Sequence, residues 1–354
     1  MRTSTPSEIV SFVANTFSAR LTPAIWGPPG IGKSDIIKQV CTTLGLKMID
    51  LRLSQLEATD LNGIPERANE RLVWLPPAAI PLDTDPLPQG FNGWLLFLDE
   101  INSANVEVQK AAYKLILDRM VGMFSLHPAC LIAAAGNLLT DRAIVNKMPS
   151  TLQSRLIHFN LMPDVDEWML WAERNEIDQR VIGFLRFSPD SLHRFDPNTQ
   201  DNTFPCPRTW EFTSRLITGH KRINTTLIAG AVGEGTAVEF AEFVDTFSEL
   251  PQFTDVIAQP STAKIVKDAA VIYALFSLMI SKINEDNVTQ LVTYATRYPV
   301  EYQWFMVKQL RSLRDKAQAA LTVPGNDKIY ARISNVMRSD KIIAWMQSYA
   351  EKML

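Results

Sequence analysis

The chain has 354 residues, 46% of them hydrophobic and 21% charged, with a formal net charge of −3. That length and apolar content supply a sizeable core, favour two or three domains over one, and exclude a disordered chain. The acidic balance offers no bulk positive field to hold nucleic acid without sequence preference, so binding of that kind is not expected.

The amino terminus lacks a charged segment leading into an apolar run and a small-residue cleavage site, so secretion is not indicated. Thr5-Pro6-Ser7-Glu8 reads as a helix start, with Thr5 as cap and Glu8 closing a capping box ahead of Ile9, Val10, Val13 and Phe17. Ala24-Ile25-Trp26 is then a short strand that runs into a Gly/Pro turn, after which Ile36, Ile37, Val40 and Leu44 recur at helical spacing. Further short apolar runs at Met48–Leu53, Trp94–Leu98, Leu131–Ala135 and Leu156–Leu161, separated by helical patterns, predict an α/β fold with a parallel sheet. Between them, Ile64–Asn92 is rich in Pro and polar residues around Leu72-Val73-Trp74-Leu75 and reads as an insertion carrying a short hairpin or strand.

Beyond Asp164 the period is helical, apart from a polar excursion over Ser188–Thr203. Pro251 and Pro260 suggest a soft boundary near 250, so the expected division is 1–162 for the α/β domain, 163–250 for a helical lid and 251–354 for a further helical unit. Ala269–Ile280 is the most apolar stretch and is too short to cross a bilayer, so no membrane insertion is expected. Lys308, Arg311 and Arg314 lie at helical spacing and read as a solvated face, with contact to nucleic acid or an acidic partner as the alternative. Cys41, Cys130 and Cys206 form no Cys-x-x-Cys pair, and His127, His158, His193 and His220 show no ligand spacing. A disulfide framework and a transition-metal site are therefore not expected, and a reducing, cytoplasmic setting is.

Gly27-Pro28-Pro29-Gly30-Ile31-Gly32-Lys33-Ser34 sits between a strand and a helix and matches the phosphate-binding loop. In such a loop backbone N–H groups wrap phosphates, the Lys reaches the β/γ oxygens and the Ser hydroxyl holds Mg²⁺. Trp94–Leu98 leads into Asp99-Glu100, the Walker B pattern, which brings two carboxylates to the carboxyl edge of the sheet. Asp99 suits the Mg²⁺ shell, and Glu100 can orient or polarise the attacking water. Leu131–Ala135 ends at Gly136-Asn137, where the amide can bond a γ-phosphate or the water, or simply occupy a turn. Arg155 closes a helix-like segment before the next strand and is the candidate for a trans-acting arginine, with Arg142 in reserve. Arg208 stands in the first turn of the helix after Pro205-Cys206-Pro207, where the dipole disfavours a cation, so an anionic partner, phosphate or carboxylate, is expected there.

With the loop, Asp99-Glu100, Asn137, Arg155 and Arg208 in this order, the chain resembles the MoxR branch of the AAA+ ATPases, near the dynein-related and magnesium-chelatase-like group. The resemblance covers about residues 20–220 and includes Asp60-Leu61-Asn62-Gly63-Ile64-Pro65 and the hairpin position at Asp118–Pro128. It implies a P-loop AAA+ core with a helical lid, ATP and Mg²⁺ as ligands, and sensor-1 and sensor-2 roles for Asn137 and Arg208. It further implies a ring homo-oligomer, a hexamer, that remodels or activates a protein partner, often one with a von Willebrand factor A-like domain. A nucleic-acid-directed motor or loader is the alternative, and GTP in place of ATP stays open because the loop sees phosphates and not the base.

Overall fold

Burial along the central strands decides the architecture. The computed structural model describes residues 2–350 apart from 69, 139, 141–145, 147, 199, 200 and 322. Its two compact units are Met1–Met162 with Asp196–Thr199, and Pro163–Phe195 with Gln200–Leu354.

The first unit carries β1 (Thr3–Ser4), α1 (Pro6–Ser18), β2 (Thr22–Trp26), α2 (Lys33–Leu44), β3 (Leu46–Arg52) and α3 (Ala58–Asn62). A hairpin of β4 (Ile64–Ala68) and β5 (Arg71–Leu75) follows, then β6 (Gly93–Asp99), α4 (Val106–Asp118) and a second small hairpin of β7 (Met120–Val121) and β8 (Phe124–Ser125). The unit closes with β9 (Cys130–Gly136), α5 (Ser150–Gln153) and β10 (Leu156–Leu161). Six strands form one sheet in the order β1-β10-β2-β9-β6-β3, every pairing parallel. The four predicted runs and Ala24–Trp26 are all strands of this sheet.

β6 is buried from Gly93 to Leu98, as a strand covered on both faces must be. Its odd positions Leu95 and Phe97 join Ile25, Ala133 and Ala135 under Ile9 and Val13 of α1 and Ile37 and Val40 of α2. The even positions Trp94, Leu96 and Leu98 join Ala24, Ile132 and Ala134 under Val108, Ala112 and Leu115 of α4. The two-residue period of the strand thus loads two separate cores from one run of sequence. At the start of α1 the Thr5 N–H donates to the Glu8 carboxylate at 3.0 Å, as the capping box predicts.

The second unit is helical: α6 (Val165–Arg174), α7 (Gln179–Phe187), α8 (Pro207–Ile217), α9 (Thr225–Val232), α10 (Glu234–Thr246), α11 (Phe253–Ala258), α12 (Ala269–Lys282), α13 (Val288–Ala295), α14 (Val300–Ala319), α15 (Asn326–Arg338) and α16 (Asp340–Ala350). The boundary expected near 250 does not divide its packing: a single cluster of buried side chains runs from Trp168 to Trp345. The excursion from Ser188 is not polar throughout, since Ser191 and Leu192 are buried and the Trp210 indole N–H donates to the Ser191 carbonyl at 2.7 Å. α12 is buried along most of its length, and no helix among the described residues is long and apolar enough to cross a membrane.

An ionic network lies inside this unit. Arg186, its side chain 1% exposed, donates to Glu173 at 3.4 Å and to the Ser277 carbonyl at 3.1 Å. Arg332 reaches the other oxygen of Glu173 at 3.8 Å and donates to the Ser281 and Ile283 carbonyls at the end of α12. Burial pushes both guanidinium groups below their ordinary range, and Glu173 opposes that shift. Removing the carboxylate leaves two desolvated cations uncompensated, so Glu173→Ala should destabilise the helical unit by about 3 kcal/mol. Urea unfolding followed by helical circular dichroism measures this, and an unchanged midpoint contradicts it.

Candidate nucleotide site

The strand order sets β2, β9 and β6 side by side, and register levels their ends. Ala24 pairs with Ala134, which pairs with Leu98, so Trp26, Gly136 and the Asp99-Glu100 pair emerge together at the carboxyl edge. Beyond β2, Gly30 and Gly32 take φ of +78° and +93°, a left-handed backbone open to glycine, and the loop they shape delivers Lys33 as the first residue of α2. Gly136 answers a different need. A Cβ there would sit 2.5 Å from the Asn102 side chain and 2.5 Å from the Trp26 ring.

Three of the predicted groups meet directly. The Lys33 ammonium donates to the Gly27 carbonyl at 2.6 Å, the Pro28 carbonyl at 2.9 Å and Asn137 Oδ1 at 3.0 Å. Ser34 Oγ donates to Asp99 Oδ2 at 3.1 Å, while Asp99 Oδ1 accepts from the Glu100 N–H at 2.9 Å. Glu100 has φ of +56°, an uncommon conformation for a residue with a Cβ, and it turns the chain sharply just past β6.

Three further residues complete the arrangement, and none was found from sequence. Ser54, just beyond the end of β3, donates through its hydroxyl to Glu100 Oε2 and holds that carboxylate. Asn102, 4% exposed, makes a two-point clamp on Asn137: its Nδ2 donates to the Asn137 carbonyl at 2.8 Å and its Oδ1 accepts the Asn137 N–H at 3.3 Å. Asp50 of β3 lies near Asp99 and Glu100, and partial burial together with those two charges pushes its carboxyl up from the usual carboxylate range, against Arg52 and Lys38. Polar residues alternating with leucines toward the carboxyl end of β3 are the signal that could have flagged Asp50 and Ser54.

Behind the loop, Trp26 Nε1 donates to His158 Nδ1 at 2.8 Å and the two rings stack. The acceptor role of Nδ1 leaves the proton on Nε2, which donates to the Gln153 carbonyl at 2.7 Å.

Oxygen ligands close to one another suit a hard cation. Ser34 Oγ and Asp99 Oδ2 are such a pair, and Mg²⁺ needs only one or two protein oxygens when phosphates and water fill the rest. Among the described residues no group of three or more His, Cys, Asp or Glu is arranged to hold a metal by itself.

The arginines stand apart from these hydrogen bonds. Arg155 is exposed, donates to the Thr151 carbonyl at 3.0 Å and lies over the Tyr113 ring at 5.6 Å; among the described residues it makes no ion pair. Arg208 is exposed in the first turn of α8, in the second unit. Arg142 lies outside the described residues.

Asn102→Ala would strip both peptide groups of Asn137 of their partner. We expect a loss of about 2 kcal/mol in the stability of the first unit, from two part-buried groups left unsatisfied. Chemical denaturation followed by tryptophan fluorescence measures it, and parental stability would mean that the clamp contributes nothing.

Residues 24–159, which contain every one of these groups from Trp26 to His158, match the family model described as "ATPase family associated with various cellular activities (AAA)". No curated protein matches the chain in sequence. Among solved structures, it is similar to a candidate ATPase from Cytophaga hutchinsonii ATCC 33406, with 12% identity and a TM-score of 0.36, over 84% of this chain and 79% of that one. Residues 24–159 are therefore an AAA ATPase domain, and the activity it carries is hydrolysis of ATP.

Proposed function

We propose that this ATPase is a motor of the MoxR type, a ring-shaped homo-oligomer, hexameric, that uses ATP and Mg²⁺ in the cytoplasm to remodel or activate a protein partner. The observation that carries the reading is the bonding of Lys33 to Asn137 and of Ser34 to Asp99, which ties the ends of three adjacent parallel strands into one cradle. A partner with a von Willebrand factor A-like domain fits the branch that the sequence resembles. The acidic net charge of −3 speaks against the nucleic-acid-directed alternative.

In this reading the Lys33 ammonium leaves the Gly27 and Pro28 carbonyls for phosphate oxygens, and Asn137 holds the terminal phosphate or the attacking water. Ser34 and Asp99 would hold Mg²⁺, which would supply charge neutralisation for the phosphates. Glu100, freed from the Ser54 hydroxyl, accepts a hydrogen bond from the water and orients it. Arg155 serves a neighbouring protomer, where an exposed guanidinium without a carboxylate partner can neutralise charge that develops in the transition state. Arg208 meets the nucleotide phosphates from the helical unit.

Two measurements test this. Glu100→Gln should bind ATP as the parent does and turn over about a hundredfold more slowly; parental turnover would remove Glu100 from the chemistry. Lys33→Ala and Arg155→Ala should each be nearly inactive alone, yet regain turnover when mixed, because one keeps the arginine and the other keeps the loop. A mixture no more active than its parts contradicts the trans role.

A further inference from the structure

α14 and α15 pack against each other, and between them opens a cleft of about 160 Å³ lined by Arg314 and Gln318 from α14 and by Tyr330, Ser334, Met337 and Arg338 from α15. Three- and four-residue spacing brings each set onto one helix face. The sequence read Arg314 as part of a solvated face, but its side chain is 32% exposed and turns to this cleft.

The lining is rich in donors and holds no carboxylate. Arg314 satisfies Asp315 through Nε and Nη2, at 2.9 and 2.6 Å, and its Nη1 makes no hydrogen bond among the described residues. Arg338 makes no ion pair among the described residues. Position in the last turn of α15 accounts for Arg338 by the helix dipole alone. It does not account for Ser334, which is 6% exposed and whose Oγ has no partner among the described residues. A serine inside a helix ordinarily bonds the carbonyl four residues back, and a buried hydroxyl that does not is a donor waiting for an acceptor.

We propose that this cleft binds a tetrahedral oxyanion, either free phosphate or the phosphate of a small phosphomonoester. Arg338 neutralises it, and Arg314 Nη1 and the Ser334 and Tyr330 hydroxyls donate to it. Donors that come from two helices suit a tetrahedral anion better than a planar carboxylate, which one guanidinium fork would take alone. The cleft has room for a phosphate group. None of these residues belongs to the nucleotide site, so the proposal stands or falls apart from that reading.

The test is calorimetric titration of inorganic phosphate into the full chain carrying Lys33→Ala, which weakens competition from the glycine loop. One saturable site is expected. In that background Arg338→Gln should weaken it about tenfold, the worth of one charge-assisted hydrogen bond, and Ser334→Ala about fivefold. The Ser334→Ala protein should keep its helical circular dichroism and melt no lower than its parent, since an unsatisfied hydroxyl is removed. Glycerol phosphate, titrated in parallel, separates the sources: tighter binding than phosphate identifies an ester, weaker binding identifies the free ion, and Arg338→Gln must weaken whichever binds. Absence of saturable binding, or affinity indifferent to both substitutions, overturns the proposal.

Discussion

The site depends on one constraint, the parallel register that ends β2, β9 and β6 at a common level. The glycine loop meets the acidic pair across 65 residues of sequence, from Ser34 to Asp99, and the asparagine across 104, from Lys33 to Asn137, yet side chains of ordinary length bridge them because the strands that carry them stop together. The apolar runs hold that register. Each strand faces two cores, and a slip of one residue would exchange the contents of both.

Within that frame the charges are arranged for a ligand that is both anionic and metal-bearing. Lys33 is held by carbonyls and an amide, acceptors it can give up without stranding a charge. Asp50, Asp99 and Glu100 crowd one edge, and the Asp50 carboxyl is pushed up first by burial and then by that local excess of negative charge. A divalent cation would relieve it. Ser54 and Asn102 act one step back, the first on the Glu100 carboxylate and the second on the backbone of Asn137.

Much of this was legible in the chain because local rules wrote it. Gly27–Ser34 announces its turn through glycine spacing, Asp99-Glu100 stands out at the end of an apolar strand, and the strands of the sheet read as short hydrophobic runs. What escaped depends on juxtaposition. Ser54 matters only because β3 neighbours β6, and Asn102 only because its loop passes under Gly136. In the helical half, prolines suggested a boundary near 250, but helices on either side share one core, so a turn signal proved to be punctuation within a packed unit. Arg186 was equally illegible: in Gln179-Arg180-Val181-Ile182-Gly183-Phe184-Leu185-Arg186 nothing local reveals that its charge is buried against Glu173.

The most direct test of the account is a structure of the protein with a nonhydrolysable ATP analogue and Mg²⁺. The triphosphate should lie against the backbone between Gly27 and Ser34, with the Lys33 ammonium withdrawn from the Gly27 and Pro28 carbonyls and the metal beside Ser34 and Asp99. A saturating analogue bound elsewhere, with Lys33 still bonded to those two carbonyls, would contradict it.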